Sequence, residues 1–451
     1  MKFHNSLTRD KQDFTPLDPA HVRMYVCGPT VYDRVHIGNA RPVVIFDTLY
    51  RLLQMKYGQI TYVRNITDVD DKINARAMES GINIGQLTEE TTKYFHEDMA
   101  DLNALPPTIE PKATGHIPEM IELIETLIAK GLAYEAEGHV LFSVANDPDY
   151  GILSGRNRED MIAGARVEIA PYKQDPADFV LWKPSEEGIP GWDSPWGFGR
   201  PGWHIECSAM SCKYLGETFD IHGGGQDLMF PHHENEIAQS TGAFGKDTFA
   251  KVWLHNGMIT VDGEKMSKSL GNFITVRQAL DKYPGEMIRY ILLSAHYRQA
   301  LDWNETLVGQ SQSSLNRLYA SLRDVPEDLE LTISHEVIAA LEDDINTPLA
   351  YSKLFEICTQ INKAKTPEQR HKLQALLKGS AQLMGFLYLT SDQWFKGTAG
   401  DDVEEIEGMI KGRLEARAAK DFQKADEIRD ALVAKGLILE DTPEGTLWRR
   451  K

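Results

Sequence analysis

Five consecutive residues, Lys265-Met266-Ser267-Lys268-Ser269, place two ammonium groups and two hydroxyls in one short segment. Charge-assisted hydrogen bonds to phosphate oxygens are among the strongest a side chain can make, so such a loop suits a polyphosphate. A solvated surface loop would have the same composition. What favours chemistry is a second element far upstream, His36-Ile37-Gly38-Asn39. Residues Val22 to Cys27 read as a buried strand, which Gly28-Pro29-Thr30 breaks. Val43, Phe46, Leu49, Tyr50 and Leu53 then recur at helical spacing. His36 to Asn39 therefore fall at a helix N-terminus, where free N–H groups and a partial positive charge favour phosphate. Gly38 leaves bare backbone on which a flat ring such as adenine could rest.

A second constellation has the donor types of a metal site. Cys27 ends the first strand, and Cys207 lies in Gly202-Trp203-His204-Ile205-Glu206-Cys207. His232 and Glu236 are four apart in Pro231-His232-His233-Glu234-Asn235-Glu236, a spacing that puts them on one helical face. Cysteine, histidine and carboxylate all bind zinc, although ligands so scattered also read as buried thiols and a surface pair. Cys212 and His233 are rivals by type; Cys212 is turned away on a helix by its distance from Cys207, and Cys358 lies in an amphipathic helix as packing. Phe219-Asp220-Ile221-His222 runs into Gly223-Gly224-Gly225-Gln226-Asp227, and the three glycines leave backbone open to a ligand. In an open α/β sheet, ligands sit beyond the carboxyl ends of the strands, which is where Cys27 and His222 would stand.

The paired segments resemble the signatures of class I aminoacyl-tRNA synthetases, His-Ile-Gly-His and Lys-Met-Ser-Lys-Ser. The second is matched in full, and the first departs at Asn39. Asparagine donates a hydrogen bond but carries no charge. The strings Met24 to Asp33, Arg64-Asn65-Ile66-Thr67-Asp68, Gly202 to Ser208, His222 to Gln239 and Leu439 to Arg450 resemble the cysteinyl-tRNA synthetases almost end to end. That resemblance implies one zinc per subunit on Cys27, Cys207, His232 and Glu236, with Thr67, Trp203 and His222 lining an amino-acid pocket. It implies a ligase that makes cysteinyl-adenylate from L-cysteine and ATP with magnesium, then acylates the 3′ end of tRNA(Cys). His36, Gly38 and Asn39 would meet ATP from one side. Lys265, Ser267 and Lys268 would close from the other, with Lys268 acting most strongly on the transition state. Asp227 would orient adenosine or the substrate amine. A related ligase that passes the acyl group to an amino sugar would share these sites but not need the C-terminal third. A non-catalytic RNA-binding relative would show a damaged site. A zinc hydrolase would need a His-Glu-x-x-His helix, which the sequence lacks.

The elements that must position these residues follow from the rest of the chain. Its 451 residues exceed one ordinary core, and 42% hydrophobic with 25% charged residues is a globular balance. No apolar run reaches the roughly 18 residues that span a bilayer, and Met1 to Pro19 has no signal-peptide core. Four cysteines in this length fit a reducing cytoplasm. The expected fold is α/β: a doubly wound parallel, Rossmann-like catalytic sheet over 1–302, with strands at 22–27, 60–65, 218–222 and 250–256. It carries an insertion at about 112–200 and a lysine-loop region at about 257–302. An all-α bundle follows over 303–395, a linker over 396–408 and a small α+β module over 409–451. The net charge of −19 gives no help to RNA binding, whereas residues 411–451 hold ten Lys/Arg against eight Asp/Glu. By resemblance the bundle and the terminal module contact tRNA, including its anticodon, in a monomer.

Overall fold

The structure, a computed structural model, describes residues 1–156, 170–267, 270–326, 328–396, 402–442 and 445–450. It divides into two compact units, Met1–Val308 with His335–Tyr351, and Gly309–Ser334 with Ser352–Lys451.

In the first unit, strand β1 (His21–Val26) leads through a loop to helix α1 (Ile37–Tyr57), which returns to β2 (Gln59–Arg64). An antiparallel four-stranded insertion follows: β3 (Ala133–Ala136), β4 (His139–Phe142), β5 (Phe179–Pro184) and β6 (Gly199–Pro201). The chain then re-enters the main layer through α2 (Trp203–Leu215), β7 (Thr218–Gly225), α3 (Glu234–Phe244) and β8 (Phe249–Asn256). The four main strands are parallel in the order β8-β7-β1-β2. The strand β1 sits at the point where the winding reverses, so a crevice opens beyond the carboxyl ends of β1 and β7. Register sets its walls: Tyr25 on β1 lies opposite His222 on β7, and His222 opposite Trp253 on β8. Both faces are covered by helices, which is why these strands read as near-continuous apolar runs.

The strand β7 runs straight through Gly223, Gly224 and Gly225 and stays buried. For Gly223 and Gly224 the role is close packing rather than an open platform, while Gly225 lines a cavity. A Cβ on Gly223 would lie 2.3 Å from the Phe46 ring, and one on Gly224 would lie 2.8 Å from the ring of His233.

Beyond β8, the hairpin β9 (Ile259–Val261) and β10 (Glu264–Lys265) leads into the lysine segment, and α4 (Val276–Leu280) follows it. Thr275 and Gln278 form a capping box at the start of α4. The strand β11 (Leu301–Trp303) pairs in parallel with β9.

The second unit is helical and ends in a small α+β element, with helices Asp402–Ala418 and Phe422–Ala434 and a hairpin of Leu437–Thr442 with Gly445–Arg450. Ile406, Ile410, Leu432, Leu437 and Trp448 make its core. Trp448 is buried, and its indole N–H donates to Glu407 at 2.9 Å, so it packs rather than offering a face to a base. Arg413 grips Asp441 with both terminal nitrogens, at 2.7 and 2.9 Å, and Arg417 joins them at 2.7 Å. Cys358 is fully buried.

Candidate active site and metal centre

Four donors from three places in the chain meet at the end of β1. Gly28, just past Cys27, must be glycine because a Cβ there would lie 1.6 Å from the Asn65 carbonyl oxygen. That close approach lets Asn65 accept the Gly28 N–H at 2.9 Å and fixes where the Cys27 thiol points. On α2, Cys207 lies 1% exposed with its sulfur 3.7 Å from that of Cys27. Past an irregular turn over Met229–His233, His232 and Glu236 share one side, as their spacing predicts, with Nε2 3.0 Å from Oε1. The Cys27 sulfur is 3.5 Å from each of those two atoms.

These separations test whether zinc fits. A tetrahedron built on zinc–sulfur bonds of about 2.3 Å and zinc–nitrogen bonds of about 2.0 Å has edges of about 3.3 to 3.8 Å. The observed set runs from 3.0 to 3.7 Å, so the residues fit the ion. A second group, Cys27, His222, His233 and Glu236, overlaps the first. Both of its histidines face Glu236, and His233 Nε2 also lies 3.3 Å from the Cys27 sulfur, so what favours the first group for zinc is its second thiol, Cys207. His222 holds the other Glu236 oxygen at 2.8 Å, and His233 Nδ1 lies 2.8 Å from His255 Nε2.

Electrostatics agree with a cation. Burial resists every charge here, yet Cys27 and His232 draw Cys207 down to about 6. Burial also opposes the Glu236 carboxylate, but the imidazoles of His222 and His232 hold it well below the ordinary range. Against the same burial, Glu236 and Cys207 push His232 up to about 10. Burial pushes Cys27 well up.

Around this centre lie Trp203, Thr67 and His222, expected at the pocket, together with His204 and Glu206, which the sequence reading did not assign. His204 Nδ1 lies 3.0 Å from His232 Nδ1, and Trp203 stacks on His232 at 4.3 Å between ring centroids. Trp203 lines the cavity, while Thr67 and His222 lie buried behind it. The Thr67 hydroxyl donates to Glu206 at 2.9 Å. Burial and then the charge of Cys207 push the Glu206 carboxyl well up. His204 and Glu206 were visible in the same string as Cys207, but only the folded helix shows which of its sides meets the centre.

A cavity of about 440 Å³ runs from Cys27 and Trp203 to His36, Asn39 and Lys265, with Asp227 on its wall. His36 is the N-cap of α1: its Nδ1 accepts the Asn39 N–H at 3.2 Å, and Asn39 Oδ1 accepts the His36 N–H at 3.3 Å. A Cβ on Gly38 would crowd the His36 ring at 2.8 Å and the Met266 methyl at 3.3 Å. The two signature segments therefore touch at Gly38. Lys265 is exposed on the cavity rim, and the Ser267 N–H donates to Asn272 at 2.8 Å. Lys268 and Ser269 lie outside the described residues.

Comparison with known proteins matches this arrangement. The family described as tRNA synthetases class I (C) catalytic domain matches residues 13–313, and the DALR domain matches residues 336–388. The cysteine–tRNA ligase of Rhodospirillum rubrum is 58% identical across 100% of this chain and 99% of its own. That of Paramagnetospirillum magneticum is 60% identical, covering 99% of each. Among solved structures, Mycobacterium tuberculosis methionyl-tRNA synthetase in complex with methionyl-adenylate shares the fold, with a TM-score of 0.56 at 13% identity over 81% of this chain and 89% of that one. Fold, paired segments and family match together define a class I aminoacyl-tRNA synthetase. Within that class the chain belongs to the cysteine–tRNA ligase family.

Proposed function

We propose that this chain activates L-cysteine with ATP, releasing diphosphate, and transfers the cysteinyl group to the 3′ end of tRNA(Cys). The observation that carries this reading is one cavity with a thiol-rich metal centre at one end and His36 and Lys265 at the other. Cys27, Cys207, His232 and Glu236 would hold zinc, one per subunit. When bound, zinc supplies a Lewis-acidic partner for a thiolate.

That device answers the selection problem. An apolar pocket separates serine, alanine or valine from cysteine by only about 1–3 kcal/mol. Trp203 closes the pocket wall, and Thr67 and His222 hold it from behind. The substrate carboxylate is the nucleophile on the α-phosphate of ATP, so the protein need only position and neutralise charge. His36, Gly38 and Asn39 would receive ATP at the helix N-terminus, with Asp227 orienting adenosine or the amine. Lys265, Ser267 and Lys268 would approach the phosphates from the opposite side, magnesium accompanying ATP. No helix among the described residues is long and apolar enough to cross a membrane, and we place the protein in the cytoplasm as a monomer. The helical second unit and its terminal α+β element, whose first helix begins at Asp402 rather than after a linker over 396–408, would contact tRNA.

The test is cysteine-dependent exchange of pyrophosphate into ATP, followed by tRNA charging. Both should occur. Exchange without charging would point to transfer onto an amino sugar, and neither would point to a non-catalytic relative.

A further inference from the structure

Arg41 lies on α1 two residues after Asn39 and is completely buried. An arginine in that place is unusual, because a buried cation is ordinarily paired with a carboxylate. Arg41 is held instead by backbone carbonyls. Its Nη1 donates to Gly257 O at 2.7 Å and to Met258 O at 3.0 Å, and its Nη2 reaches His296 O at 3.4 Å. Burial lowers its guanidinium to about 10, and no neighbouring charge contributes, so it stays charged at neutral pH.

The Gly257 and Met258 carbonyls belong to the junction where β8 leaves the sheet and β9 begins. Gly257 and Met258 line the cavity, and β9 and β10 carry the chain directly to Lys265. Met258 O also accepts the Leu301 N–H at 3.0 Å, and Gly257 N–H donates to Tyr297 O at 2.8 Å. A Cβ on Gly257 would lie 2.4 Å from Gln299 O, so the junction is packed too tightly to shift alone. The other end of the lysine segment is tied to the same helix start. Ile37 N–H donates to Ile274 O at 3.1 Å, and Val276 N–H to Val35 O at 2.9 Å. On either side of the lysine segment, residues 257–258 and 274–276 are thus both anchored at the start of α1.

We infer that Arg41 is a positioning residue for the nucleotide half of the reaction. It touches no substrate, and it sets the cavity wall and the upstream foot of the lysine loop in register with His36. This rests on the nucleotide reading given above. Only a planar, multiply donating group spans the carbonyls. A lysine ammonium can take the place of one guanidinium nitrogen but not both, and a methionine of neither.

The test compares full-length, zinc-loaded Arg41→Lys and Arg41→Met proteins. Misplacement of a reacting group by 1 Å costs on the order of 10²-fold, so the methionine variant should lose about that much in kcat/KM for ATP. The lysine variant should recover part of the loss. In both, KM for cysteine and bound zinc should match the parent. Unchanged ATP parameters in the lysine variant would overturn the inference. So would parallel loss of ATP use, cysteine affinity and zinc, which marks general damage. If the methionine variant does not fold, the lysine variant decides alone. Direct titration of each protein with magnesium ATP separates the two readings. A parent without cysteine-dependent exchange defeats the proposed function, while weaker ATP binding by Arg41→Lys still supports the role of Arg41 and equal binding rejects it.

Discussion

At the sulfur end of the cavity, Cys207, His232 and Glu236 are each 1% exposed or less, and neighbours hold every one of them. At the phosphate end, Asn39 and Lys265 are exposed. The difference follows from what each end must do. Telling a thiol from a hydroxyl depends on a fixed donor set in a low dielectric, where an ill-placed ligand is costly. Transferring an adenylyl group needs cations that arrive with the substrate and release diphosphate afterwards, which buried side chains cannot do. On the proposed reading the buried end selects the substrate, and the exposed end meets the phosphates.

The contrast is broken most severely at the centre. Cys207→Ser should lose bound metal and cysteine activation, by well over the roughly 100-fold expected for an outer-shell partner. Magnesium ATP should still bind. Metal analysis beside pyrophosphate exchange checks this, and a zinc-free variant with parental cysteine activation would remove the case for the ligand set. At the opposite end, Lys268→Ala should lower exchange on the order of 10²–10³-fold, as loss of a charge-stabilising donor does, with Lys265→Ala below it. Both should keep zinc and KM for cysteine. A raised KM for cysteine in either would show that the two ends are not separable.

Smaller effects sharpen the boundary. His222→Gln should weaken zinc binding by about 10–100-fold, since His222 orients Glu236 rather than serving the metal directly. A chelator competition measures it. Acid should act on the sulfur end first. The Cys207 thiol sits at about 6, below its ordinary value, so its metal-binding thiolate is present above that pH and is lost as pH falls through it. Bound zinc moves the loss lower still. Zinc release on lowering the pH should therefore precede any change in ATP binding, and the reverse order would contradict the electrostatic account.

Local pattern carries only part of this architecture. The strands expected at 22–27, 60–65, 218–222 and 250–256 occupy His21–Val26, Gln59–Arg64, Thr218–Gly225 and Phe249–Asn256. Apolar runs made them legible, because strands covered on both faces need them. The end of β7 was not legible, since three glycines read as backbone open to a ligand, whereas Phe46 and His233, from other elements, demand the first two. The spacing of His232 and Glu236 showed a shared face, but His204 and His255 became part of the centre only through tertiary neighbours. Arg41 is the plainest case. An arginine near a helix start reads as solvated, and nothing local shows that carbonyls more than two hundred residues away bury it.

The smallest effect concerns the one departure from the signature, Asn39. Its side chain accepts the His36 N–H while its own N–H reaches His36 Nδ1. Because Nδ1 is an acceptor, the His36 proton resides on Nε2, the nitrogen that can donate to a phosphate. The asparagine thus keeps the geometry of the helix start without adding charge. Asn39→Ala removes the reciprocal acceptor and should destabilise the protein by about 1 kcal/mol, the usual worth of such a cap. Asn39→Asp keeps the acceptor and should hold the melting temperature, yet its negative charge beside the phosphates should slow exchange more than alanine does. Melting temperature and exchange rate measured together separate these roles. An alanine variant that melts like the parent but loses as much exchange as the aspartate would mean that the amide acts on phosphate rather than on the helix.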